Sequence, residues 1–266
     1  MGEVYVITSG KGGVGKTTTT ANIGTSLAMQ GYRVVLVDAD IGLRNLDVVL
    51  GLENRIVYDM VDVAHGRCRL RQALIRDRRF ENLYLLPAAQ TKDKTAINPE
   101  QVKELCEQLK EESDFVILDC PAGIEQGFRN AIAGADKAIV VTTPEVSAVR
   151  DADRIIGLLE ASEIRNPVLV LNRIRTKMVK AGDMLDVDDV IEHLAIDLLG
   201  IVPDDESIIV FTNKGEPAVL NSYSKAGEAY RNISRRIAGE EVPLMNLDNG
   251  GGFIGRVRRL LGLRTG

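Results

Sequence analysis

A chain of 266 residues with 45% hydrophobic and 27% charged residues is long and apolar enough for one full α/β core, which excludes a disordered or fibrous protein. Its net charge of −5 and lack of tryptophan weigh against a nucleic-acid-binding surface, and no specific nucleic acid is expected as partner. The three cysteines, Cys68, Cys106 and Cys120, are odd in number and widely spaced, so they suit neither a disulfide framework nor a zinc or cluster site, and a reducing cytoplasm is expected. The first residues read as a strand rather than a leader, and no apolar stretch approaches the roughly 20 residues that a bilayer span needs.

In chain order, the β-branched run at residues 4–8 predicts a first strand. It leads into Gly10, Lys11, Gly12, Gly13, Val14, Gly15, Lys16, Thr17 and Thr18, a loop of the form G-x-x-x-x-G-K-[ST] with a second lysine directly after its first glycine. Glycines at these positions let the backbone turn with positive φ and bring its N–H groups close to anionic oxygens. Lys16 is expected to reach the β and γ phosphates and the Thr17 hydroxyl to ligate Mg²⁺, while the following helix aims its positive end at the same charge. Residues 18–30 are helix-compatible, with Ile23, Leu27 and Ala28 on one face.

Further apolar runs at residues 34–37, 83–86, 115–118, 138–141, 168–171 and 199–202 alternate with helical periodicity at 99–112, 144–160 and 187–194. Buried parallel strands with helical crossovers give a doubly wound, mostly parallel α/β sheet with helices on both faces, as in P-loop nucleotidases, and a ligand at the carboxyl ends of the strands. The second strand ends in Asp38 and Asp40, and a later one in Asp119-Cys120-Pro121-Ala122-Gly123. Asp119 has the hydrophobic-run-then-Asp form of a metal-site element, Asp38 is a second metal candidate, and Gly123 is placed to give an N–H to the γ-phosphate. For either aspartate, a helix cap or turn role is the alternative. After residues 168–171 the chain reads Asn172-Arg173-Ile174-Arg175, without the Asp of a guanine-recognising Asn-Lys-x-Asp, so ATP is favoured over GTP.

Arg67, Arg69, Arg71, Arg76, Arg78 and Arg79 crowd one segment, read as a solvated helix face without assigned function. The helix at 144–160 carries an apolar stripe of Val146, Val149, Ile155 and Ile156, read as core. Residues 246–252, with three consecutive glycines, read as a linker after a domain at 1–245. In the tail at 253–266, Phe253, Ile254, Val257, Leu260 and Leu261 fall on one arc and Arg256, Arg258 and Arg259 outside it. That is the pattern of an interfacial helix for anionic lipids, too short to span a bilayer. One copy binds weakly, and two on a dimer gain avidity. A terminal helix docked on its own core is the alternative.

The segment Lys11-Gly12-Gly13-Val14-Gly15-Lys16-Thr17 resembles the phosphate loop of the ParA/MinD family of deviant Walker A ATPases. The stretches at 38–47, 119–125, 143–151 and 182–185 resemble the septum-site-determining branch of that family, so the likeness runs along nearly the whole chain. The resemblance implies a sandwich homodimer on ATP in which Lys11 reaches the phosphates of the other subunit, although Lys11 on a single loop also reads as a solvated lysine. It implies that Asp40 orients or deprotonates the attacking water with Asn45 assisting, and that Asn172, Arg173, Pro203 and Asp204 contact adenine; for Asn172 a strand-end turn role stays open. His65 and His193 are given no catalytic part. The resemblance also implies a peripheral position on the inner membrane face, a division inhibitor and a stimulating peptide or polar anchor as partners, and Arg44, Glu145, Arg150, Asp151 and Asp153 as a partner surface. A DNA- or cargo-partitioning ATPase is the nearest alternative, and a metabolic ATP-dependent ligase or kinase is one of another class.

Overall fold

The computed structural model describes residues 2–245; the linker at 246–252 and the amphipathic segment at 253–266 lie outside the described residues. Eight strands, β1 (Glu3–Thr8), β2 (Val34–Asp38), β3 (Ile75–Arg76), β4 (Leu83–Leu86), β5 (Phe115–Asp119), β6 (Lys137–Thr142), β7 (Val168–Ile174) and β8 (Asp197–Pro203), form one sheet in the order β3-β4-β2-β5-β1-β6-β7-β8. Every pairing is parallel except that of β3 with β4. β1 lies centrally, and the chain builds first toward the β3 edge and later toward the β8 edge, so the loop after β1 falls where the winding reverses.

The helices are α1 (Lys16–Met29), α2 (Leu46–Leu50), α3 (Met60–Ala64), α4 (Leu70–Ala73), α5 (Pro99–Glu112), α6 (Gln126–Ala133), α7 (Val146–Ala161), α8 (Thr176–Ala181), α9 (Val187–Leu194), α10 (Ser207–Thr212) and α11 (Lys225–Ile237). They cover both faces, so β2 and β5 are buried at every position and their sequences are continuous apolar runs. Alternate strand residues feed two core layers. One includes Val6, Val37 and Leu118 with Leu105, Phe128 and Ile155; the other includes Ile7, Leu36 and Ile117 with Ile23, Leu27 and Tyr230. α5 shows why its boundaries are sharp: Asn98 accepts from the Gln101 N–H in a capping box, and Pro99 starts the helix where no N–H is needed.

Four readings are corrected. α1 starts at Lys16, and from Thr19 to Ala28 it is buried all round rather than on one face. It is enclosed between the sheet and α11, to which Thr19 and Ser26 are tied through the hydroxyls of Tyr230 (3.1 Å) and Ser234 (2.6 Å). The strand β3 has no expected counterpart and runs antiparallel. The arginine-rich segment is no helix face, since it spreads over α4, β3 and the turn after it. Within it, Arg79 is ion-paired to buried Asp77 at 2.7 Å, Arg71 to Glu112, and Arg67 to Asp62 at 3.1 Å. Val149, Ile155 and Ile156 of α7 are core as expected, but Val146 at its start is 63% exposed.

Candidate functional site

Between β1 and α1 the backbone turns through Gly13 (φ 79°) and Gly15 (φ 103°), left-handed conformations that a side chain would strain. Gly15 is the N-cap of α1 and offers no side chain to the helix's first N–H groups, so these donors and the helix dipole face the loop. Gly10 is required sterically: a Cβ there would stand 2.2 Å from the Asp151 carbonyl of α7. The two lysines are placed differently. Lys16 is buried and donates from Nζ to Ser9 Oγ at 3.0 Å, and Ser9 Oγ donates to the Lys11 carbonyl at 2.8 Å. Lys11 is exposed and donates to Ser147 Oγ at the start of α7, at 3.3 Å.

Register places the two strand-end aspartates side by side, because Asp38 of β2 pairs with Asp119 of β5. Both are buried. Asp38 accepts from the backbone N–H groups of Asp40 (3.0 Å), Asn45 (3.1 Å) and Leu46 (3.1 Å), so it folds the 38–46 loop around itself and caps α2. Burial holds its carboxyl above the usual carboxylate range, against the pull of those three N–H bonds. Asp119 is held above that range too, by burial and then by the neighbouring Asp38, while the Thr17 hydroxyl and the Lys16 ammonium oppose the shift. Thr20 Oγ1 also reaches Asp119, at 3.4 Å. The site is thus a cradle of N–H donors and one buried ammonium, beside two adjacent buried carboxylates.

On the opposite flank, Asn172 at the end of β7 is buried, donates from Nδ2 to the Val14 carbonyl at 2.7 Å and accepts the Arg173 N–H on Oδ1 at 2.9 Å. Arg173 is exposed in a left-handed conformation (φ 56°). Pro203 and Asp204 follow at the end of β8, where the Asp204 N–H donates to the Ile174 carbonyl and its carboxylate pairs with Arg175 at 2.6 Å. Gly123 has a φ of 89° and open space about its Cα. Asp40 is half-buried at the mouth of the loop, and the exposed Asn45 donates its side-chain amide to the Leu43 carbonyl at 2.6 Å.

The phosphate loop, Asp38, Asp40, Asn45, Asp119, Gly123, Asn172 and Asp204 therefore share one edge of the sheet. Arg44 is turned onto buried Asp47 at 2.9 Å. Glu145, Arg150 and Asp153 are exposed on α7, Asp151 is half-buried against Gly10, and His65 and His193 are exposed far from the loop in sequence. Ser9, Ser147 and Thr20 join the site without having been singled out as site residues. Ser9 directly precedes the loop and was the one most open to detection. Among the described residues no group of three or more His, Cys, Asp or Glu is arranged to hold a metal by itself. That suits Mg²⁺, which is bound by one or two carboxylates together with phosphate oxygens and water.

A family model described as an AAA domain matches residues 2–169. The chain is 62% identical over 268 residues to the septum site-determining protein MinD of Bacillus subtilis, covering all of both chains. It superposes with a TM-score of 0.86 on the MinC:MinD cell division protein complex of Aquifex aeolicus, at 50% identity over 92% of this chain and 99% of that one. On the septum site-determining protein MinD of Pyrococcus horikoshii complexed with Mg-ADP the TM-score is 0.81, at 31% identity over 89% and 96%. With a relative this similar over its full length and the same eight-stranded fold, the chain belongs to the septum site-determining MinD family of ParA/MinD-type ATPases.

Proposed function

We propose that this chain is an ATP-dependent, dimerising ATPase that resides reversibly on the inner face of the cell membrane and recruits a division inhibitor there, with hydrolysis as its release step. The observation that carries this reading is the unequal placement of two lysines in one loop. Lys16 is buried within the cradle, whereas Lys11 stands exposed at its rim, held only by Ser147. A lysine at the rim is free to neutralise a triphosphate held by a second copy, and a lysine inside the cradle is not. Mg²⁺·ATP keeps roughly two negative charges, so a cation from each copy stabilises both the dimer and the charge of a loose phosphoryl transition state.

In this reading Gly10, Lys11, Gly12, Gly13, Val14, Gly15, Lys16, Thr17 and Thr18 bind the phosphates, with Gly123 adding an N–H at the γ position. Thr17 with Asp119 would hold Mg²⁺, which would supply neutralisation of phosphate charge when bound. The fit rests on geometry, since register sets the buried Asp38 and Asp119 carboxylates side by side and the Thr17 hydroxyl bonds Asp119. Asp38 serves the metal's water shell at most, because its oxygens organise the 38–46 loop. Asp40 orients or deprotonates the attacking water and Asn45 assists. Asn172 keeps one amide hydrogen and one carbonyl lone pair beyond its bonds to the loop, which it offers to adenine together with Arg173, Pro203 and Asp204.

The MinC:MinD complex of the Aquifex relative supports a MinC-like inhibitor as partner, with Arg44, Glu145, Arg150, Asp151 and Asp153 as the surface that meets it. A MinE-like peptide or a polar anchor would compete for or adjoin the same surface. Membrane residence rests on the tail at 253–266, whose single copy is too weak to hold and whose doubling on the dimer raises avidity by about 10² to 10⁴. Sedimentation with anionic vesicles tests the switch. At physiological salt, pelleting is expected with ATP, but not with ADP, not after removal of 253–266 and not in Lys16→Ala, and pelleting indifferent to nucleotide and tail at that salt would refute it.

A further inference from the structure

Three arginines of the crowded segment and its neighbourhood, Arg55, Arg76 and Arg78, are exposed and have no carboxylate partner among the described residues, unlike Arg67, Arg71 and Arg79. They line a shallow pocket of about 430 Å³ together with Asp77 and Glu81. Asp77 is buried and neutralised by Arg79, which leaves Glu81 as the pocket's one opposing charge. Arg55 is fixed in place by a bond from Nη1 to the Arg76 carbonyl at 2.7 Å. Val57, two residues on, is 78% exposed, an apolar tip beside the charges.

The position of this pocket narrows its partner. Arg76 pairs with Tyr84 and the Asp77 N–H donates to the Leu83 carbonyl, so the cluster stands at the starting end of the parallel strands, opposite the phosphate loop. The described chain leaves the domain at the same end. Arg236, in the last turn of α11, donates to the carbonyls of Leu199, Val242 and Pro243, and Met245 packs on the α1/α11 core layer. Ile56 and Phe80, which flank the arginines, pack on that same layer. The end of α1 connects the two places, since Asn82 bonds the Ala28 and Tyr32 carbonyls while Gln30 bonds Ser234. Whatever surface the segment after Met245 meets, this edge is carried toward it.

We propose that the sheet edge bearing Arg55, Arg76, Arg78 and Val57 is an accessory contact for anionic lipid headgroups. It rests on the membrane residence proposed above and adds a second, electrostatic point of attachment in the folded domain. Guanidinium groups suit phosphate oxygens through paired N–H donors, and basic residues near an anionic leaflet strengthen binding additively. The test compares the full chain with Arg76→Gln/Arg78→Gln in ATP, on vesicles of phosphatidylglycerol in phosphatidylcholine. Arg55 and Arg79 are left alone because both hold backbone carbonyls. The double variant should partition about ten- to thirtyfold more weakly onto anionic vesicles, with the loss shrinking at high salt and the ATPase rate and melting temperature unchanged. A second arm uses the chain ended at residue 252 on pure phosphatidylglycerol vesicles at low salt, where residual binding should be present and lost in the double variant. Equal partition of parent and variant in both arms overturns the proposal and returns the pocket to an acidic protein partner. Pelleting at physiological salt that is indifferent to nucleotide and to removal of 253–266 would instead refute the switch, whatever the arginine variant does.

Discussion

The loops after β2 and β7 flank the phosphate loop and are held in opposite ways. After β2, Asp38 collects N–H groups from two, seven and eight residues ahead, Asn45 bonds Leu43, and Arg44 pairs with Asp47. These side-chain bonds stay within the segment, which is anchored elsewhere by its backbone, from the Ala39 N–H to the Asp119 carbonyl (3.0 Å) and from the Gly42 N–H to the Ala89 carbonyl (2.9 Å), and Leu43 at its tip is 65% exposed. On the β7 side, Asn172 near the end of the strand bonds the Val14 carbonyl across 158 residues of chain, and a Cβ on Gly15 would stand 2.4 Å from its amide nitrogen. A loop whose side-chain bonds are all local can rearrange those side chains while its backbone anchors at Ala39 and Gly42 hold; a loop whose side chain is fastened into the phosphate cradle moves only with it. The β2 side is thus suited to switching and the β7 side to binding.

The largest effect expected from this contrast is on turnover alone. Asp40→Ala, on the loop after β2, should leave ATP affinity intact while partner-stimulated phosphate release falls about 10²-fold or more, as for loss of a proton-transfer group. Calorimetric titration with ATP and a phosphate-release assay check the two halves separately. Normal stimulated turnover in Asp40→Ala would remove the water-positioning role from this loop.

A smaller effect, of another kind, is expected on the β7 side. Asn172→Ala removes both of its bonds and leaves the buried Val14 carbonyl unsatisfied, a loss of about 1–3 kcal/mol in the geometry of the cradle. Affinities for ADP and ATP should fall together, by about 5- to 150-fold, because the fault lies in the loop and not at the γ-phosphate. A loss confined to ATP would place Asn172 on the switching side and erase the distinction between the two loops.

The same division between local and distant contacts explains what was legible in the sequence. Residues 83–86, 99–112 and 187–194 form β4, α5 and α9 with those bounds, because central strands buried on both faces are uninterrupted apolar runs and both helices begin with a capping box. The phosphate loop and the two strand-end aspartates were visible for the same reason. By contrast, β3 is two residues long and is set by Arg79, which reaches Asp77 locally and the Leu50 and Gly215 carbonyls far away in sequence. Asp38 reads from the sequence as a metal candidate with a cap as the alternative, and the three N–H bonds that give it a capping role depend on the fold of the loop. Lys11 meets Ser147, 136 residues on, and Val146 is exposed at the first position of α7; neither follows from helical periodicity.

The smallest effect concerns the carboxylate pair on which the two loops converge. An unfolded aspartate ionises near its ordinary value, whereas native Asp119 ionises higher because burial and Asp38 disfavour its charge. Between those two values the native state binds more protons than the unfolded state, so the contribution of Asp119 to stability is full below the ordinary value and is lost as pH rises through the native one. In the absence of nucleotide and metal, Asp119→Asn should therefore match the parent in melting temperature near pH 4 and exceed it by about 1–3 kcal/mol in stability near pH 8, the cost of ionising a buried carboxylate that lacks a cation. Mg-ADP should reverse the order, since the ionised carboxylate is then the form that is used, and only the parent should gain stability from the metal. Scanning calorimetry at both pH values, with and without Mg-ADP, reads all four states. A variant whose stability runs parallel to the parent across the pH range would mean that Asp119 carries its charge at no cost, and that the site is already balanced without a cation.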